Sequence, residues 1–167
     1  AIVHGETTVE GLRAVRAENA AEAKKLLREG SLPVLADPEC ACREELAPDA
    51  LVDAILAKRN LGTKIDDAPI VVGVGPGFTA GEDCHAVVET MRGHTLGRVI
   101  YSGSALPNTL RGVLDDGVPV KKGMKSGDVD PRCKPEYCTT ISDKALAVGG
   151  GVVEAVLYLS AKAQGRR

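Results

Sequence analysis

The stretch Val71-Val72-Gly73-Val74-Gly75-Pro76-Gly77-Phe78-Thr79-Ala80-Gly81-Glu82-Asp83-Cys84-His85-Ala86-Val87-Val88-Glu89-Thr90 decides how the rest of the chain reads. An apolar run over residues 69–74 has the β-branched character of a buried strand. Gly73, Gly75, Gly77 and Gly81 then supply backbone angles closed to other residues, so the loop can approach a ligand closely. Thr79 or Asp83 is placed to cap a helix that starts near His85 and runs to Met91. A helix N-terminus offers free N–H groups to phosphate or carboxylate. The expectation is strand, loop and helix, with an anion site at the loop.

Working outward, residues 58–63 (Lys-Arg-Asn-Leu-Gly-Thr) stand immediately before the central strand. Lys58, Arg59 and Asn60 combine two cations with an amide beside a flexible glycine, a composition suited to phosphate; a charged helix C-terminus explains the same residues. Further back, residues 1–16 read as one or two short strands around Gly5 and Gly11, and residues 17–30 as an amphipathic helix capped by Asn19. Residues 32–37 read as a strand closed by Asp37-Pro38, and residues 50–56 as a second helix with Pro48 in its first turn. Forward, residues 98–103 read as another strand. The alternation predicts an α/β fold, a mostly parallel sheet flanked by helices, with ligands at the carboxyl ends of the strands. Short β segments broken by Asp-Gly and Lys-Gly turns over residues 110–130 predict a small all-β appendage. Ser142-Asp143 caps a last helix over residues 144–163, in which Gly149-Gly150-Gly151 either breaks the helix or marks a close approach. The implied organisation is an α/β domain over 1–109, the β appendage over 110–130, and a loop and helix over 131–167 that pack back on the α/β domain.

Formal net charge is -2 with charged residues of both signs interspersed, which leaves no electrostatic footprint for nucleic acid or an anionic membrane. Aromatic residues make up 2%, which removes the stacking platforms of single-strand binders. No apolar run is read as reaching the roughly 18 residues of a membrane span, no signal sequence opens the chain, and the expected location is the cytoplasm. The five cysteines form an odd set in a chain too large to need disulfide staples, which fits reduced thiols.

The densest polar cluster follows the glycines. Asp83, Cys84, His85 and Glu89 are the candidate catalytic residues: His85 beside carboxylates suits acid/base chemistry, and Cys84 at a helix N-terminus suits a lowered thiol pKa. A capping Asp83 and a buried thiol explain two of them equally well. Lys58, Arg59, Asn60, Gly73, Gly75, Gly77, Thr79 and Gly81 are the candidate cofactor-binding residues. The glycine pattern matches neither the P-loop nor the dinucleotide fingerprint. Cys40-x-Cys42 and Cys133-x4-Cys138 lack the spacing of zinc knuckles, so no metal site is assigned.

Several motifs together resemble one family, the bacterial accessory proteins of the selenium-dependent molybdenum hydroxylase system, a maturation family associated with xanthine dehydrogenase-like enzymes. They are the residues at 57–63, the whole of 73–90, Arg-Gly-His-Thr-Leu-Gly-Arg-Val-Ile at 92–100, and Gly-Ser-Ala-x-Pro-Asn-Thr at 103–109. Gly-Asp-Val-Asp-Pro-Arg at 127–132 and Ile-Ser-Asp-Lys-Ala-Leu-Ala-x-Gly-Gly-Gly at 141–151 complete the set. The resemblance implies an accessory role in making or loading an active molybdenum hydroxylase, with that enzyme or its cofactor as partner. It also implies a glycine-rich nucleotide-binding-like segment ahead of residue 1 and several dozen further residues between Pro-Asn-Thr and Leu-Arg-Gly-Val. Residues 110–130 are then the remnant of a barrel-like domain resembling biotinyl or lipoyl carriers.

The leading expectation is a maturation accessory protein whose 73–85 loop, with Lys58, Arg59 and Asn60, binds the anionic group of a nucleotide or molybdopterin-type cofactor. A second is an enzyme, a transferase or hydrolase using His85, Asp83 and Cys84 on a phosphorylated or sulfur- or selenium-bearing substrate. A third is a non-catalytic scaffold that grips the hydroxylase.

Overall fold

The computed structural model describes residues 1–107 and 140–165. The expected β appendage at 110–130, the Pro-Asn-Thr to Leu-Arg-Gly-Val join, Cys133 and Cys138 lie outside the described residues. The expected α/β class holds: parallel strands, flanking helices, and no closed barrel among the described residues.

The N-terminal sheet follows the sequence closely. Strands β1 (Glu6–Val9) and β2 (Leu12–Ala17) form a hairpin whose two turn residues, Glu10 and Gly11, both have positive φ (48° and 83°), the geometry that matches strand twist. Helix α1 (Ala20–Arg28) carries the chain across to β3 (Leu32–Leu35), which pairs parallel to β2. Asn19 caps α1 by accepting from the Glu22 N–H at 2.9 Å. Ala23 and Leu26 bury against Ala17, giving the amphipathic helix its purpose.

The second sheet holds the stretch that opened the sequence, in the order β4 (Ala50–Asp53), β5 (Ile70–Val74), β7 (Ala86–Val88), β8 (Val99–Ile100). The first three strands run parallel and β8 antiparallel. All five residues of β5 are buried, as a central parallel strand requires. Alternation sends Val71 and Val87 to one face with Phe78, Ala80, Cys84 and Ala105, and Ile70, Val72, Ala86 and Val88 to the other. Helix α3 (Asp143–Ala163) covers that second face with Val148, Val152, Ala155, Val156 and Leu159.

Two expected helices are strands. Residues 50–56 pair with β5 over Ala50–Asp53 instead of coiling, because helix α2 (Cys42–Leu46) stops at Ala47, which is left-handed at φ 47°, and Pro48 follows. A continuous apolar run fits both readings until its neighbours are known. Residues 85–91 supply β7, whose Ala86, Val87 and Val88 are wholly buried between β5 and β8. β-Branched side chains suit that slot better than a helix. The helix N-terminus expected to hold an anion is therefore absent from residues 85–91. The β5-to-β7 connection instead contains the two-residue strand β6 (Thr79–Ala80), which pairs antiparallel with β9 (Gly103–Ser104).

The triple glycine does not break α3, which Ser142 caps by accepting from the Ala145 N–H at 3.1 Å. At Gly151 the helix approaches so closely that an added Cβ would meet the Gly97 carbonyl and Val88 Cγ1, whereas Gly149 and Gly150 face open space. Gly149→Ala should therefore stabilise the protein by about 1 kcal/mol through helix propensity and a less flexible unfolded chain. Thermal unfolding should show Tm rising by about 2–4 °C.

α3 also corrects the reading that no segment reaches membrane-spanning length. Its 21 residues, with mean hydropathy 1.4, are long and apolar enough to cross a membrane by length and composition. The inner face is the lid of the sheet; Leu146, Val153 and Leu157 on the outer face are exposed.

Candidate functional site

The loops that follow β4, β5 and β7 converge at the carboxyl edge of the parallel sheet, where ligands of α/β folds bind. Asp53, buried at the end of β4, accepts from the Ile55 N–H at 3.0 Å and the Thr63 hydroxyl at 2.6 Å, pinning both ends of loop 54–63. Asn60 organises the loop from inside. Its Oδ1 accepts from the Gly62 and Thr63 N–H groups, both at 2.8 Å, and its Nδ2 donates to the Thr63 carbonyl at 2.7 Å and Asp83 Oδ1 at 3.0 Å. The Asn60 N–H donates to the Gly77 carbonyl at 3.1 Å, which ties this loop to the glycine loop.

Gly77 makes that contact possible, and Gly75 makes room for Thr90. A Cβ on Gly77 (φ 110°) would lie 2.5 Å from Arg59 N and Cα, and one on Gly75 (φ 86°) would lie 2.9 Å from Thr90 Oγ1. Both demand left-handed angles and close backbone approach. Gly73 makes room for a side chain instead, since Phe78 folds back over it with Cγ 2.5 Å from where a Cβ would stand. Lys58, itself left-handed at φ 62°, and Arg59 are exposed, and neither takes part in an ion pair among the described residues.

The candidate catalytic residues lie on no helix; they follow β6 and flank β7. Asp83 holds the β6 turn, Oδ2 accepting from the Thr79 N–H at 2.8 Å and Oδ1 from Asn60. Cys84 is wholly buried, and burial pushes its thiol up from its ordinary value, with the Asp83 charge adding to the effect. That is the opposite of the lowered pKa expected at a helix N-terminus. His85 Nδ1 accepts from the Val71 N–H at 3.0 Å, so that nitrogen braces β5. Glu89 is 2% exposed; Oε1 accepts from the Thr90 and Met91 N–H groups, both at 2.7 Å, and Oε2 from the Leu106 N–H at 2.9 Å. Each polar side chain in this set has an internal partner that explains its place.

The structure thus gathers Lys58, Arg59, Asn60, Gly75 and Gly77 at one edge, and leaves Thr79 and Gly81 on the β6 turn, where the Thr79 and Ser104 hydroxyls meet at 3.1 Å. Thr63, whose hydroxyl the sequence reading counted with the basic stretch, also belongs to the edge, as do Asp53 and Thr90, which that reading missed. Asp53 would have stood out as a carboxylate at a strand end had residues 50–53 been read as β. An open cleft of about 520 Å³ lies at the opposite, amino ends of β4 and β5, lined by Arg43, Glu44, Asp49, Asp66 and Asp67 among others. Arg43 there is paired with Asp67 at 3.5 Å, leaving the cleft acidic. We place the candidate site at the carboxyl edge because its two cations have no ion-pair partner among the described residues and its backbone is built for close approach.

Among known proteins the chain is similar to the uncharacterized protein YqeB of Escherichia coli (strain K12), at 42% identity over 213 aligned positions. The match covers 95% of this chain and 39% of the relative, so the chain spans about two-fifths of the length of the curated relative it matches. The aligned positions outnumber the 167 residues here, so the relative carries residues without a counterpart in this chain. No family model matches, and no solved structure matches.

Proposed function

We propose that this protein is a cytoplasmic accessory factor in the maturation of selenium-dependent molybdenum hydroxylases. At the carboxyl edge it binds the phosphate-bearing group of a nucleotide or molybdopterin-type cofactor. The observation that carries the binding half is the exposed pair Lys58 and Arg59, without an ion-pair partner among the described residues, on a loop held against Gly75–Gly77 by Asp53 and Asn60. Cations pre-positioned beside close-approach backbone form charge-assisted hydrogen bonds to phosphate with little ordering cost. The maturation half rests on the motif resemblance, with a xanthine dehydrogenase-like hydroxylase as partner.

Calorimetry with nucleotides and molybdopterin precursors is expected to show binding that weakens as salt rises. The double substitution Lys58→Ala, Arg59→Ala should weaken it on the order of 100-fold, two charge-assisted contacts being removed. Both side chains are exposed, so thermal stability should change little. No heat with either ligand class, together with full hydroxylase activation by the double variant, would end this reading.

A further inference from the structure

A second pair of chemically active side chains lies away from the carboxyl edge, on the Asp-Pro-Glu-Cys-Ala-Cys segment that follows β3 and ends on the first residue of α2. The Cys40 N–H donates to the Asp37 carbonyl at 3.1 Å, and the Cys42 N–H to Asp37 Oδ2 at 2.7 Å. Residues two apart in a helix do not face each other. Here Cys40 is left-handed at φ 52°, and the N–H groups of Cys40 and Cys42 both close on Asp37, so the two cysteines share one tight turn. Cys40 is exposed and Cys42 half-buried, whereas Cys84 is buried in the core.

We propose that Cys40 and Cys42 form a thiol–disulfide exchange site that reacts with low-molecular-weight disulfides. The Cys40 thiolate attacks one sulfur of the external disulfide; the new bond is a mixed disulfide, and the departing thiolate takes up the proton lost from Cys40. Cys42 then attacks Cys40 Sγ, forming the Cys40–Cys42 bond, and the second external thiolate leaves with the Cys42 proton. The two cysteines are oxidised and the external disulfide is reduced to two thiols. Roles follow from the surroundings. Cys40, in solvent, meets the reagent first. Burial and the neighbouring Asp37 and Cys40 push Cys42 up to about 11, which keeps it protonated, so it does not compete for the external reagent and acts second, where the intramolecular step supplies a high effective concentration. Asp37 is held ionised by the Cys42 backbone N–H, so its charge is the brake on that step.

The test treats the purified protein with oxidised glutathione and follows intact mass and a peptide map. The expected product is an internal Cys40–Cys42 disulfide, lacking two hydrogens, after a short-lived glutathione adduct on Cys40. Cys42→Ser should arrest the reaction at a stable adduct on Cys40, and Cys40→Ser should slow all reaction in this segment on the order of tenfold or more. Asp37→Asn, whose carbonyl can still accept from the Cys42 N–H, should speed loss of the adduct. Circular dichroism confirms that each variant is folded. A wild-type adduct on Cys40 that never resolves, no reaction at Cys40, or a disulfide that maps only to Cys133 and Cys138 would each overturn the proposal.

Discussion

Glu89→Ala should lower stability by about 3–5 kcal/mol, because it strands three backbone N–H groups at once, one buried and two part-buried, around a buried side chain. Thr90, Met91 and Leu106 all donate to this carboxylate, and Glu89 itself is 2% exposed, so water cannot simply replace it. In a chain of 167 residues that loss corresponds to a fall in Tm of about 6–20 °C. Glu89→Gln separates geometry from charge. Its carbonyl can serve Thr90 and Met91, but its amide nitrogen would then face the Leu106 N–H, donor against donor, and the loss should be intermediate. Differential scanning calorimetry on the two variants checks the order. If Glu89→Ala unfolds within about 1 kcal/mol of wild type, the carboxylate is not an anchor. In the structure Glu89 fastens the turn after β7 to Leu106.

Gly151→Ala should cost about 2–4 kcal/mol, the opposite sign from Gly149→Ala two residues earlier on the same helix. The added methyl group would meet the Gly97 carbonyl and Val88 Cγ1, neither of which can move without shifting the turn before β8 or the buried strand β7. Gly97 is also constrained from its own side, since a Cβ there would meet the Ala147 carbonyl. The two backbones touch through glycine on both surfaces, and the helix sits on the sheet at that distance or not at all. Denaturant unfolding of the two alanine variants, read as midpoint shifts in opposite directions, tests this directly. Equal shifts would mean that the close approach at Gly151 carries no weight.

Where local chemistry is decisive, the sequence is a good guide. Asn19 capping α1, the Glu10-Gly11 hairpin turn, the apolar run of β5 and the cap at Ser142 all follow from residues within a few positions of each other. The failures share one cause. Residues 50–53 and 86–88 are short apolar runs whose state depends on β5 standing between them, a long-range fact invisible in a window of about eleven residues. The candidate site suffered accordingly. Its basic loop and glycines were legible because glycine at 75 and 77 and cations at 58 and 59 are compositional signals. The helix N-terminus was not there to be found, and Asp53 and Thr90 carry no local signature. Of the two readings open for Cys84, the buried thiol is the one found, and the sequence could not choose because a thiol in a core and one at a helix terminus look alike there.

Helix α3 is the only described element that covers Ile70, Val72, Ala86 and Val88, and it follows them in the chain. During synthesis the central strand of the second sheet leaves the ribosome roughly seventy residues ahead of its cover, several seconds of translation at about 5–20 residues per second. In that interval the sheet presents four apolar side chains and open strand edges to everything around it. The half-made chain therefore exposes an apolar strip on the second sheet that is covered only once Gly151 seats against Gly97.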